Sequence, residues 1–148
     1  MKESFRFAFL KTIPVMLGYL FLGLAFGLLL QEAGYSFWWA LLISAIVYAG
    51  SIQFVLVSFL TAGTSLPVVA VMTLLINSRH AFYGLTFIEK FKAMKSRPYM
   101  IFSLTDETYS HLCSLKVPEG IDEKTVMVLI SLLDQVSWII GSVMGAAL

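Results

Sequence analysis

Apolar residues run along this chain in five blocks separated by short polar intervals: Ile13–Leu30, Phe37–Leu60, Leu66–Ile88, Tyr99–Leu115 and Thr125–Leu148. The first is nearly free of polar atoms and, at 1.5 Å per residue, covers about 27 Å, enough for one bilayer crossing. The second carries Gly50, Ser51 and Gln53 in its interior, and the third carries Asn77-Ser78-Arg79-His80. The fourth is weak, interrupted by Asp106 and Glu107, and the fifth holds Asp134 and Gln135 near its middle. Pro67, Pro98 and Pro118 each stand at a block's start, where a first helical turn tolerates proline. The pattern predicts an all-α polytopic transmembrane bundle forming a single domain over residues 1–148.

Lysine and arginine favour the cytoplasmic side of a membrane. Lys2, Arg6 and Lys11 place the N-terminus there, the Gln31–Ser36 interval has neither residue type, and Lys90, Lys92, Lys95 and Arg97 place the next basic loop inside again. Three simple crossings between residues 12 and 89 would put that loop outside. The second or third block is therefore expected to contain a broken or re-entrant helix, at Ala49–Gln53 or at Asn77–His80, unless the charge rule fails here. Such breaks are tolerated at membrane depth only where they line a cavity or are buried in protein, and in secondary transporters they commonly mark the binding site.

Composition fixes the solvent. Of the 148 residues 59% are hydrophobic and 13% charged, with a mean hydropathy of +0.86. Soluble domains are nearer 45–50% apolar and about 25% charged, and a chain this short has no water-soluble core able to hide so much apolar surface. The net charge of +1 gives no general attraction to nucleic acid. The single cysteine, Cys113, makes no internal disulfide and reads as a small packing residue. Ile13–Leu30 is too long for a signal-peptide core and lacks an A-x-A-like exit. No nucleophile elbow, HExxH or phosphate-binding glycine loop points to an enzyme, and nothing points to a metal or a cofactor.

Candidate chemistry sits in the interruptions. Arg79 follows the apolar run Leu66–Ile76, and a charge at bilayer depth costs about 2.5–3.5 kcal/mol on insertion scales, so it either serves a cavity or snorkels from a helix end. A guanidinium grips a carboxylate bidentately, with Asn77 beside it as a second polar contact. Gly50 lets a ligand approach backbone, and Gln53 binds either a substrate's polar group or a neighbouring helix. Asp106, Glu107 and Asp134 are candidates for ion or proton coupling. The first two read equally as acids in the first turn of a helix capped by Thr105, and Asp134 as a boundary residue.

Gly23-Leu24-Ala25-Phe26-Gly27 and Gly141-Ser142-Val143-Met144-Gly145 are both small-xxx-small pairs, a spacing that lets helix backbones meet in lipid. Their offset of 118 residues (141 − 23) suggests one repeat followed by the first helix of a second, as in inverted-repeat transporters. With an apolar end at Gly145–Leu148, this leads to the expectation of a fragment of a longer protein.

Three motifs in order, Ala49-Gly50-Ser51-Ile52-Gln53, Asn77-Ser78-Arg79-His80-Ala81-Phe82-Tyr83-Gly84 and Leu104-Thr105-Asp106-Glu107, resemble the AzlC-type branched-chain amino-acid permeases across nearly the whole chain. The resemblance implies a multi-pass exporter of branched-chain amino acids in the bacterial inner (plasma) membrane, working with a small AzlD-type membrane subunit and compatible with self-association. It implies Gly50, Gln53, Asn77 and Arg79 at the substrate, with an acid among Asp106, Glu107 and Asp134 coupling to protons. Family members are longer than this chain. Two other classes remain open from the residues alone: an ion channel in which Arg79 is a selectivity element, and an assembly subunit that carries no substrate.

Overall fold

The computed structural model describes residues 1–148. Its frame is a pair of long helices, α1 (Lys2–Glu32) and α9 (Glu123–Ala147), with seven shorter helices between them in sequence. The pair meets through the four glycines of the two small-residue motifs. A methyl group added at Gly23 would lie 2.8 Å from the Trp138 carbonyl oxygen, and one at Gly141 would lie 2.5 Å from that of Leu20. At Gly27 and Gly145 the obstructing atoms are the Ser142 and Leu24 carbonyl oxygens, closer still. Backbone lies on backbone here because there is no side chain to separate the helices.

These contacts also fix direction. Residues 20 and 24 meet 141 and 145, so α1 and α9 run parallel. The contacts repeat in exchanged form: Gly23 against Trp138 mirrors Gly141 against Leu20, with Gly23 and Gly141, and Leu20 and Trp138, each 118 residues apart. A duplication with this offset would relate parallel units, not inverted ones.

Between the two long helices the chain turns back twice. Helix α2 (Phe37–Ile46) starts level with the end of α1, where Ala40 clusters with Leu30 and Ala146, and descends until the Ala45 carbonyl accepts a 3.2 Å bond from Gln135. Tyr48 then adopts φ 41°, a left-handed conformation rare for a bulky residue. Helix α3 (Gly50–Ala62) leaves in the opposite direction and packs on α4 (Leu66–Asn77), which runs back down to Ser51. Helix α5 (Arg79–Thr86) continues that descent, and the two make one apolar limb of 21 residues. Short helices α6 (Ile88–Lys92) and α7 (Arg97–Phe102) follow. Helix α7 climbs to Tyr99 and Phe102 beside Gln135 and Tyr48, and α8 (Asp106–Cys113) descends again. The α2–α3 and α7–α8 hairpins thus enter from opposite ends and meet near the middle of α9.

Three stretches, α1, the α4–α5 limb and α9, are long and apolar enough to cross a membrane. The protein is an all-α membrane bundle with broken helices, and the second block is the one that turns back on itself. Two apolar clusters stack along α1 and α9. One contains Ala8, Phe87, Phe91, Met100, Val126 and Ile130, and the other Tyr19, Phe26, Leu30, Ala40 and Trp138. Of the 10 Lys and Arg residues, every one except Arg79 lies on the side of the N-terminus, the α6–α7 region and the start of α9. Lys90 bonds Glu123 there at 2.9 Å. Cys113, expected as a packing residue, is instead exposed as the last residue of α8, because it lies about 100° around the helix from the buried Leu112 beside it.

Candidate functional site

The break in the α4–α5 limb is made by side chains that take over the last carbonyls of α4. The Ser78 hydroxyl donates to Leu75 O at 2.9 Å, Arg79 Nη1 donates to Ile76 O at 3.1 Å, and His80 Nδ1 lies 3.1 Å from Asn77 O. Carbonyls at a helix end need such partners, and a hydroxyl competing for them interrupts the helix. The break aims Arg79 inward. Its Nε donates to Asp106 Oδ1 at 2.8 Å and its Nη2 to Ser51 Oγ at 3.1 Å, so one guanidinium ties the limb to the first turns of α3 and α8. Tyr83 donates to the same Asp106 oxygen at 2.7 Å.

Around these groups lies a small polar cavity of about 30 Å³, lined by Gly50, Ser51, Asn77, Arg79, Asp106 and Glu107 among others. Its volume suits a carboxylate or one or two waters. The N-terminal ends of α3 and α8 border it through Gly50, Ser51, Asp106 and Glu107, each at the positive end of a helix dipole. Asn77 Oδ1 is buried on its edge with no hydrogen-bond partner.

A second cavity, of about 200 Å³, adjoins the first through Gly50, Ser51, Thr105 and Glu107. Its remaining walls are Tyr19, Leu22, Tyr48, Phe54 and Trp138. Trp138 is held edge-on to Tyr19, with centroids 5.6 Å apart, and stacked near Phe26 at 6.3 Å. A methyl group at Gly50 would lie 3.7 Å from the Trp138 ring, in ordinary van der Waals contact, so this glycine stands against the chamber wall.

Gln53 is fully buried behind these walls. Its Oε1 accepts from the Ala49 N–H at 3.0 Å and from Trp138 Nε1 at 3.2 Å, and its Nε2 donates to Ser44 at 3.3 Å. Its polar atoms thus serve the α2–α3 turn and the indole. Asp134 is also fully buried, with Thr12 donating to one carboxylate oxygen and Thr108 to the other at 2.8 Å. Tyr19 shares a hydrogen bond with Thr105 and donates to Glu107 Oε2 at 3.0 Å. Thr105 caps α8, so Asp106 and Glu107 occupy its first turn while also standing at the tip of an inserted hairpin.

The structure therefore gathers Gly50, Asn77, Arg79, Asp106 and Glu107 around one space, with Gln53 and Asp134 behind its walls. Sequence reasoning did not single out Tyr19, Leu22, Phe54, Tyr83 or Trp138. An aromatic or leucine in an apolar block carries no mark that separates a cavity wall from a lipid-facing position. No group of three or more His, Cys, Asp or Glu is placed to hold a metal ion.

Comparison with known proteins finds relatives named as membrane proteins. The chain is 42% identical over 145 residues to a membrane protein of Helicobacter pylori, covering 97% of this chain and 64% of that protein. It is 34% identical over 143 residues to the branched-chain amino acid transport protein AzlC of Bacillus subtilis, covering 96% of this chain and 56% of that one. It is 30% identical over 139 residues to the inner membrane protein YgaZ of Escherichia coli, covering 91% and 57%. The chain thus spans less than two thirds of the length of these relatives. No solved structure matches it. The family model described as AzlC protein matches residues 14–148, and the chain belongs to the AzlC family.

Proposed function

We propose that the protein exports branched-chain amino acids across the bacterial inner membrane, as the large subunit of a two-component permease with a small AzlD-type partner. The observation that carries this reading is the joining of a polar cavity that presents Arg79 to an aromatic chamber where two inserted hairpins meet a broken limb. The substrate carboxylate enters the polar cavity. Arg79 holds it through its guanidinium N–H groups and Asn77 through its amide N–H, beside the start of α3 at Gly50. Gln53 contributes through the framework, fixing the α2–α3 turn and the Trp138 ring against which the substrate rests. The name of the Bacillus subtilis relative supports the substrate class.

Asp134 is the acid best placed to carry a coupling proton. It is buried near the middle of a membrane-spanning helix, held by two hydroxyl donors and close to the Tyr19–Thr105 bridge that leads to the chamber. Asp106 is engaged with Arg79, so its protonation would loosen the limb. The N-terminus and the Lys90–Arg97 loop face the cytoplasm, because the basic residues gather at that end.

The test is isoleucine efflux from preloaded cells. These would express the small partner and a chimera in which this chain replaces the matching part of the Bacillus subtilis protein. Efflux by the chimera and its loss in Arg79→Lys, at equal membrane levels, are expected. Normal efflux by Arg79→Lys removes Arg79 from the mechanism. A silent chimera that is correctly inserted refutes the export reading.

A further inference from the structure

We propose that Glu107 and the aromatic chamber form the ammonium and side-chain subsites of a site that takes free, zwitterionic α-amino acids with medium-sized apolar side chains. The inference rests on the reading above, that the adjoining polar cavity receives the carboxylate. It starts from an asymmetry between two neighbouring acids. Asp106 is neutralised by Arg79 at 2.8 Å and receives Tyr83 as well. Glu107 has no cation within 4 Å, and its one hydrogen-bond donor is the Tyr19 hydroxyl at 3.0 Å. Its side chain is exposed at the tip of an inserted hairpin, so the carboxylate is open to a ligand, and a ligand's ammonium group supplies the counter-charge it lacks.

The position of Glu107 gives the ligand its orientation. The residue borders both the polar cavity and the chamber. An α-amino acid has its ammonium and carboxylate on one carbon, with the side chain leaving in a third direction. The site offers Arg79 and Asn77 on one side, Glu107 at the junction, and the walls Leu22, Phe54 and Trp138 on the other. The Tyr19 and Trp138 rings beside Glu107 add aromatic faces suited to a cation. The chamber, about 200 Å³, is smaller than the roughly 300–1,000 Å³ typical of sites for drug-sized ligands. It fits a side chain of a few carbons. Discrimination follows from the bare acid: a deaminated analogue would leave Glu107 unpaired beside a second negative group.

The experiment is calorimetric titration of the 148-residue chain in lipid nanodiscs with leucine and with 4-methylpentanoate, which keeps the carbon skeleton and carboxylate but lacks the ammonium. Wild-type protein is expected to bind leucine about 10-fold or more tightly than the analogue, the scale of a lost charge-assisted hydrogen bond. Glu107→Gln should remove most of that ratio, Glu107→Asp should restore part of it, and Leu22→Trp should shift preference from leucine to alanine. Equal binding of the two ligands by wild type, a ratio unchanged in Glu107→Gln, or binding of neither ligand overturns the proposal. If isoleucine efflux is normal while wild type does not discriminate, this inference falls and the export reading stands. If discrimination depends on Glu107 while the inserted chimera is silent, the export reading falls and the site stands.

Discussion

The α1–α9 pair and the α4–α5 limb are both long and apolar, and they are held in opposite ways. Along α9, Val126, Met127, Ile130, Ser131, Asp134, Trp138, Gly141 and Gly145 form a buried stripe, met by Ala8, Thr12, Tyr19, Gly23 and Gly27 on α1. The limb has no buried residue in either α4 or α5. What ties it to the rest is polar or aromatic: Arg79 to Asp106 and Ser51, Tyr83 to Asp106, and Tyr83 stacked on Tyr109 with centroids 4.1 Å apart. In lipid, apolar contact between helices has no hydrophobic driving force, so association depends on close packing and hydrogen bonds. The spine uses the first and the limb the second. Of the residues that attach the limb, Arg79, Asp106 and Ser51 also line the polar cavity, so occupying the site and moving the limb are coupled through them.

The sharpest way to break the contrast is to add a side chain to each element. Gly145→Leu has nowhere to go against the Leu24 backbone, so the spine must separate. A loss of about 3 kcal/mol or more is expected, the upper end of overpacking costs, read as a fall in thermal stability of the purified protein. In the limb, an added methyl at Gly84 meets nothing within 4 Å. Gly84→Ala should therefore be neutral, or stabilise by up to about 1 kcal/mol through helix propensity. Equal damage from the two substitutions would show that the spine is no more tightly fixed than the limb.

Asp134→Ala comes next. It leaves the Thr12 and Thr108 hydroxyls without their acceptor in a buried layer between α1, α8 and α9. About 1–3 kcal/mol is expected, the cost of unsatisfied buried donors. Asp134→Asn keeps an acceptor and should fold nearly as wild type while flattening the pH dependence of efflux. An Asp134→Asn protein with unaltered pH dependence would take the proton from Asp134 and leave it a structural role.

Much of this division was legible before the fold was. The paired glycines announced close helix contact, because only a missing side chain lets backbones touch. Gly50–Gln53 and Asn77–His80 announced breaks, because polar groups inside apolar runs need partners there. The parallel sense of α1 and α9 was not legible, since a glycine pair permits either direction and the sense depends on the two hairpins between them. The α2–α3 reversal depends on Tyr48 at φ 41°, a residue whose type gives no hint of a left-handed turn. Glu107 and His111 share a spacing that suggests a pair, yet Glu107 bonds Tyr19 on α1. A helical spacing reports which residues share a face, not which helix that face meets.

Tyr83→Phe tests the limb's attachment directly. It removes one hydrogen bond to a charged, partly exposed acceptor, so about 1 kcal/mol or less is expected in stability. Efflux should change by more than stability does, because Asp106 and Arg79 then have freedom to separate. A hydrogen-exchange comparison should show faster exchange confined to α4 and α5, with α9 unchanged. Loosening that spreads into α9 would mean that limb and spine open as one unit.

The smallest effect belongs at the foot of the spine, outside the membrane span. Asp122 caps α9, accepting from the Thr125 N–H at 3.2 Å and its hydroxyl at 2.6 Å, and these bonds hold its carboxyl below the usual carboxylate range. A depressed folded-state value means that the cap contributes above the unfolded value, about 3.9, and is lost as pH falls through the folded one. Between pH 7 and 5 the first turn of α9 should therefore be unaffected, and fraying should begin only in stronger acid. Asp122→Ala should show that fraying already at neutral pH, while Asp122→Asn, still an acceptor, should resist it at low pH. Because α9 is anchored along α1 from Val126 onward, the fraying should stop within one turn, as amide exchange at Thr125 and Ile130 would reveal. Spread of exchange to Ile130 would show that the spine depends on its cap as well as on its glycines.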